Sequence, residues 1–156
     1  MYFPRNHLSF VIAVLCSAHS ASAAVRYVDA TLASGLNNGT SWADAYQGST
    51  AVVTALSASV SGDQIWVKAG TYKPTTTTTR TIWHTMKTGV ALYGGFAGTE
   101  TLLSERNIAA NVTTLTGDLL GNDNGTVTNM ADNSYHVVVA SSVANTAILD
   151  GFSIVG

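Results

Sequence analysis

Apolar residues recur along this chain in short runs of alternating character, separated by turns rich in glycine, asparagine and threonine. Alternation with a period of two is the signature of a strand with one buried face, and β-branched residues bounded by turn formers strengthen it. The pattern predicts strands at residues 26–29 (RYVD), 65–67, 81–86 (TIWHTM), 90–93, 112–116, 136–140, 147–149 and 152–155. The run GVALYGGFAGTE, whose apolar strand ends in the corner Gly94-Gly95, recurs in altered form before and after itself.

One stretch departs from this alternation. Trp42, Tyr46, Val53, Leu56 and Val60 fall at helical steps, preceded by Ser41-Trp42-Ala43-Asp44, which has the look of a capping box. An amphipathic helix is expected there, with Gly48 and Ser49 as the point where it would break into two pieces, since glycine inside a helix costs about 1 kcal/mol relative to alanine. Trp42 and Tyr46 have two readings, a sugar-stacking platform or packing against the fold, and their helical spacing favours packing.

The strand centres near Trp66, Ala91, Leu115 and Val138 lie roughly 23 to 25 residues apart, a spacing that signals stacked repeats. A parallel β-helix accounts for such a period: each coil contributes short strands, and each strand pairs with its equivalent one coil away. The expected fold is all-β, the start of a right-handed parallel β-helix, with the amphipathic helix covering the unpaired strand edges of the first coil. The competing architecture is an antiparallel β-sandwich, which also has many short strands but joins them by regular hairpin turns.

Composition adds an address. Arg5 and His7, the apolar run from Leu8 to Ala18 and the small residues Ala21-Ser22-Ala23 form a signal peptide, with cleavage expected after Ala23 or Ala24. The apolar run is shorter than the about 20 residues that span a bilayer. A lipoprotein reading of Cys16 is disfavoured by Leu15, which stands where a small residue should be. Loss of this segment removes the one cysteine, so disulfides and thiolate chemistry are not expected despite an oxidising destination. It also removes Arg5, taking the net charge from −2 to about −3. With no basic cluster to neutralise phosphates, nucleic acid and anionic membranes are not expected partners. Three Asn-X-Thr triplets begin at Asn38, Asn111 and Asn124, but such triplets arise by chance in a chain this rich in Asn and Thr.

The set SWADAY, GDQIWVKAGTYKP, GVALYGGFAGTET, SERN, GDL, DNSYHVV and ILDGF resembles the amino-terminal part of secreted bacterial right-handed parallel β-helix proteins, which have the pectin-lyase-like fold. The resemblance covers nearly the whole mature chain. After the signal peptide at 1–23, it implies the capping helix, with the first strand, at 24–62, followed by the first coils at 63–156, the chain being truncated where ILDGF would lead onward. His84 departs from it by standing where an inward apolar residue is expected, and GSTAVV departs by interrupting the helical pattern.

Chemistry is harder to find. Lyases of this fold generally gather carboxylates around calcium beside a basic side chain that abstracts a proton. Glu100 and Asp123 each follow a strand leucine by eight residues and would face each other if Leu92 and Leu115 were equivalent; the alternative is two solvated turn residues. The turn GDLLGNDNG offers Asp118 and Asp123 as oxygen ligands, although Leu120 spoils an EF-hand match and turn formation explains the composition equally. Calcium at Asp118, Asp123 and Glu100 is thus the one candidate cofactor. His84 and His136 lie in strands without the spacing of a zinc site, and no GxSxG or phosphate loop occurs. The expected function is a non-catalytic, capped start of a secreted or cell-surface β-helix, adhesive or carbohydrate-contacting, with extracellular polysaccharide or cell-surface glycan as partner and further coils of its own chain beyond. The alternative is the amino-terminal fragment of a polysaccharide lyase or glycoside hydrolase with its site on later coils.

Overall fold

In the strand QIWVK the side chains of Ile65 and Val67 are fully buried on one face while Trp66 packs on the other, as a pleated ribbon covered on both sides requires. The computed structural model describes residues 23–125 and 128–156, and most of its elements are strands of this kind. Residues 1–22 of the expected signal peptide and Thr126 of the third Asn-X-Thr triplet lie outside the described residues.

The strands are β1 (Val25–Asp29), β2 (Tyr46–Gln47), β3 (Gln64–Lys68), β4 (Gly70–Tyr72), β5 (His84–Thr85), β6 (Ala91–Phe96), β7 (Thr113–Thr116), β8 (Val138–Val139), β9 (Ile148–Asp150) and β10 (Ser153–Val155). One α-helix, α1 (Ala51–Ala58), interrupts them. Every strand pair among the described residues is parallel, which excludes the antiparallel sandwich. The pairs build three sheets, ordered β2-β1-β3-β6-β9, β10-β7-β4 and β5-β8. From β3 onward the chain visits them in rotation: β3, β4, β5, then β6, β7, β8, then β9 and β10. Each strand lands beside the one laid down on the previous visit.

Eight of the strands overlap the segments that the alternation places, β2 and β4 were not expected, and the even period is not kept. Trp66 and Ala91 belong to the first sheet, Leu115 to the second and Val138 to the third. Gln64 pairs with Ala91 and Ala91 with Ile148, so successive circuits differ greatly in length. Much of the variation lies in the corner between the first and second sheets, which is Ala69 alone after β3 and residues 97–112 after β6.

The helix is shorter than its stripe. Gly48 has φ of +83°, a left-handed conformation that ends any continuous helix through it. Upstream, Ser41 and Asp44 form a turn, the Asp44 N–H donating to Ser41 Oγ at 3.1 Å, and Tyr46 is in β2. Downstream, Val60 is exposed. Within α1, Ala51, Val52, Ala55 and Leu56 are buried and join the core formed by Val28, Ile65, Val67, Tyr72, Val90, Leu92 and Leu115. The helix packs on β1, β2, β3 and β5. At its far end Lys87 Nζ donates to the carbonyls of Ser57 and Ser59, a cation placed where the helix leaves acceptors unpaired.

Buried polar groups join the circuits. Asp63 accepts from the N–H groups of Ala24 and Val60 and from Arg26 Nε, joining the start of β1 to the exit of α1. The Tyr72 hydroxyl donates to the Lys68 carbonyl at 2.9 Å and accepts the Ala30 N–H at 3.2 Å, and burial pushes its phenol pKa far up. At the corner after Tyr93, β6 carries one residue more than β3 between paired positions, a bulge at Gly94-Gly95. A Cβ on Gly94 would sit 2.4 Å from the Gly151 carbonyl oxygen, so only glycine lets β6 and the turn after β9 approach this closely.

Candidate functional site

Trp42 and Tyr46 do not form a joint platform. Tyr46 is buried in the core from β2, opposite Val28, whereas Trp42 packs on the outer face of the first sheet. There Tyr27, Trp66 and Tyr93 occupy successive strands in register. Trp42 meets Tyr27 edge-on at 4.8 Å between centroids, Phe96 stacks on Trp66 at 4.8 Å, and Trp42 Nε1 donates to the Glu100 carbonyl at 2.9 Å. Aromatic pairs in these geometries contribute roughly 0.5–1.5 kcal/mol beyond the area they bury. The indole is therefore engaged by neighbours on its ring and at its nitrogen, the packing alternative of the two readings.

Glu100 and Asp123 are not brought across from each other. Leu92 pairs with Ile65 and Leu149 in the first sheet while Leu115 pairs with Tyr72 and Ile154 in the second, so the assumed equivalence fails. The Glu100 carboxylate accepts the N–H groups of Ala97, Gly98 and Thr99 at 2.6 to 2.9 Å. Desolvation raises its pKa, but the backbone N–H groups around it outweigh that and hold it below the ordinary glutamate value. It orders the 97–112 corner.

The aspartates of the turn after β7 act together. Asp118 Oδ1 accepts from Gly121 N–H (2.6 Å) and Asn122 N–H (3.2 Å), and Oδ2 from Asp123 N–H (3.0 Å). Desolvation pushes Asp118 up, yet the backbone N–H groups of residues 120–123 win and hold it below the usual carboxylate range. Asp132 Oδ2 accepts Leu120 N–H, and Asp123 Oδ2 accepts from Asn133 Nδ2 at 2.7 Å. Asn133 escaped the sequence reading. Its signal was available in DNSYHVV, where an asparagine follows an aspartate just before a strand.

Of the two strand histidines expected, His84 is packed in β5, whereas His136 lies outside β8. His84 is fully buried, its Nδ1 3.0 Å from the Val137 carbonyl, and desolvation lowers its pKa below 6.5. His136 is exposed against the edge of Trp83. Among the described residues no group of three or more His, Cys, Asp or Glu side chains is placed to hold a metal ion. A depression of about 760 Å³ lies over residues 102–108, where Glu105 is bonded to the N–H groups of Thr101 and Leu102 and Arg106 is paired with Asp150.

Every lysine and arginine of the described residues is already engaged. Arg26 is on Asp63, Lys68 on Asp29, Arg106 on Asp150, and Lys73, Arg80 and Lys87 lie on main-chain carbonyls. A proton-abstracting base beside gathered carboxylates is thus not assembled among these residues. No protein-family model, curated protein or solved structure matches this chain. No helix among the described residues is long and apolar enough to cross a membrane.

Proposed function

We propose that this chain is the capped start of a right-handed parallel β-helix and serves as a non-catalytic scaffold of an exported protein. The observation that carries this reading is the rotation of β3 to β10 through three parallel sheets, with α1 packed at the end where β1 and β2 lie. A chain that returns to the same sheet after each circuit stacks like on like and grows in one direction, the defining property of a solenoid. Export rests on the signal-peptide pattern of residues 1–23. Corner segments such as 97–112 and 117–125 would supply an adhesive or carbohydrate-contacting surface toward extracellular polysaccharide or cell-surface glycan.

The decisive experiment offers the purified chain polygalacturonate, following the absorbance of unsaturated products with and without calcium while measuring co-sedimentation with insoluble polysaccharide. The scaffold reading expects no product under either condition. Calcium-dependent product would replace it with a polysaccharide lyase.

A further inference from the structure

Three buried side-chain atoms among the described residues have no hydrogen-bond partner: His84 Nε2, Asp123 Oδ1 and Asn133 Oδ1. The first is isolated in the core. The other two belong to side chains bonded to each other, because Asn133 Nδ2 donates to the second oxygen of Asp123. That bond fixes the orientation of the amide, so Asn133 Oδ1 is an acceptor by assignment. Asn133 is only 5% exposed. A buried carboxylate oxygen and a buried amide oxygen, both lacking donors, are costly unless something positive meets them.

The protein's own cations do not. After Arg106 the sequence has four aspartates and no lysine or arginine. Two basic side chains reach this turn from elsewhere, and both land on main-chain carbonyls: Lys73 Nζ on Leu119 and Arg80 Nε on Asn133, the Arg80 guanidinium also lying 4.4 Å from the Tyr135 ring. Asp118 and Asp132 are turned toward backbone N–H groups, which orders the turn and leaves their negative charge in place beside Asp123.

We propose that Asp123 and Asn133 are the protein ligands at the centre of a divalent-cation site of calcium type. Asp123 supplies a carboxylate oxygen and Asn133 an amide oxygen. Asp118 is a positioning residue that holds the turn. Calcium accepts mixed sets of carboxylate, amide and carbonyl oxygens with water completing the shell, in flexible geometry, whereas magnesium demands near-octahedral order. An irregular turn with one free carboxylate oxygen and one free amide oxygen suits the former. A cleft of about 540 Å³ walled by Asp118, Asp123, Gly125 and Met130 adjoins this turn. Glu100, on another corner with its carboxylate bonded to backbone, has no part in it.

Calorimetric titration of the chelator-treated chain with calcium chloride, with magnesium chloride as comparison, tests the site. One calcium per chain should bind, with a rise in Tm, and magnesium should bind at least about tenfold more weakly. Asp123→Asn should weaken calcium at least about tenfold while keeping the far-ultraviolet dichroism of the parent. Asn133→Asp, which adds a carboxylate, should retain calcium binding, separating a ligand role from a packing role. Absence of calcium binding by the parent chain, with no change in Tm, would overturn the proposal and leave the two oxygens to water. Unchanged affinity in Asp123→Asn would overturn it equally, and the parent titration stands whether or not a variant folds.

Discussion

The two ends of the parallel stack are built from the same kind of residue and meet opposite fates. Beside α1, Val28, Val52, Ile65 and Val67 are fully buried. At the other end, on β9 and β10, Ile148, Ile154 and Val155 are 41%, 52% and 48% exposed. Strand propensity alone does not separate the two. Cover does: α1 lies over β1, β2, β3 and β5, while among the described residues β9 and β10 are paired on one side only. An uncovered edge presents unpaired backbone groups as well as apolar side chains, so the cost of lacking cover is both hydrophobic and polar.

The strongest way to break this contrast is to charge the cover. Val52→Asp puts a carboxylate on the buried face of α1, and should cost at least about 4 kcal/mol. Thermal melting followed by circular dichroism should show loss of the cooperative transition; a melt like that of the parent would mean α1 is not needed. Next in size, Trp66→Ala removes the ring between Tyr27 and Phe96 and should cost about 3–5 kcal/mol in chemical denaturation.

His84 sharpens the comparison through pH. Its folded-state pKa lies below the 6.5 of an unfolded histidine, so below that value the unfolded chain binds the extra proton more readily. Stability should be full above about pH 6.5 and fall as the pH is lowered toward the folded-state value, by at most about 1.4 kcal/mol per pH unit from this group. Denaturation midpoints at pH 7.5 and 5.5 should differ less in His84→Gln than in the parent. The smallest effect belongs to the uncovered end: Ile154→Lys should change stability by no more than about 0.5 kcal/mol. It should nevertheless reduce self-association in size-exclusion chromatography with light scattering, because a lysine on an edge discourages strand addition.

Strands were legible because alternation is local: Ile65 and Val67 announce β3, and Val90 to Tyr93 announce β6. Register was not, because which strand lies beside which depends on loop lengths. The even spacing from Trp66 to Val138 counted residues in corners together with residues in sheets. The helix was misjudged in length because Trp42 and Tyr46 fell at helical steps by coincidence; the break expected at Gly48 and Ser49 is present, but the part before it is a turn and β2 rather than a second helical piece. At the turn after β7, Asp118 and Asp123 were visible as oxygen donors, but Asn133 was not, since it joins them from ten residues beyond Asp123. Glu100 looked equivalent to Asp123 only while Leu92 and Leu115 looked equivalent.

The unequal corners bear on how this architecture can be altered. Between the first and second sheets the chain turns on Ala69 in one circuit and takes residues 97–112 in the next, yet β4 and β7 remain paired from Gly70 with Thr113 onward. Sheet register is thus insulated from corner length, since loop closure costs only about 0.6 kcal/mol per doubling. The 97–112 corner is accordingly a natural graft point, where a foreign peptide could be displayed at a fixed height along the stack without disturbing the strands beneath it.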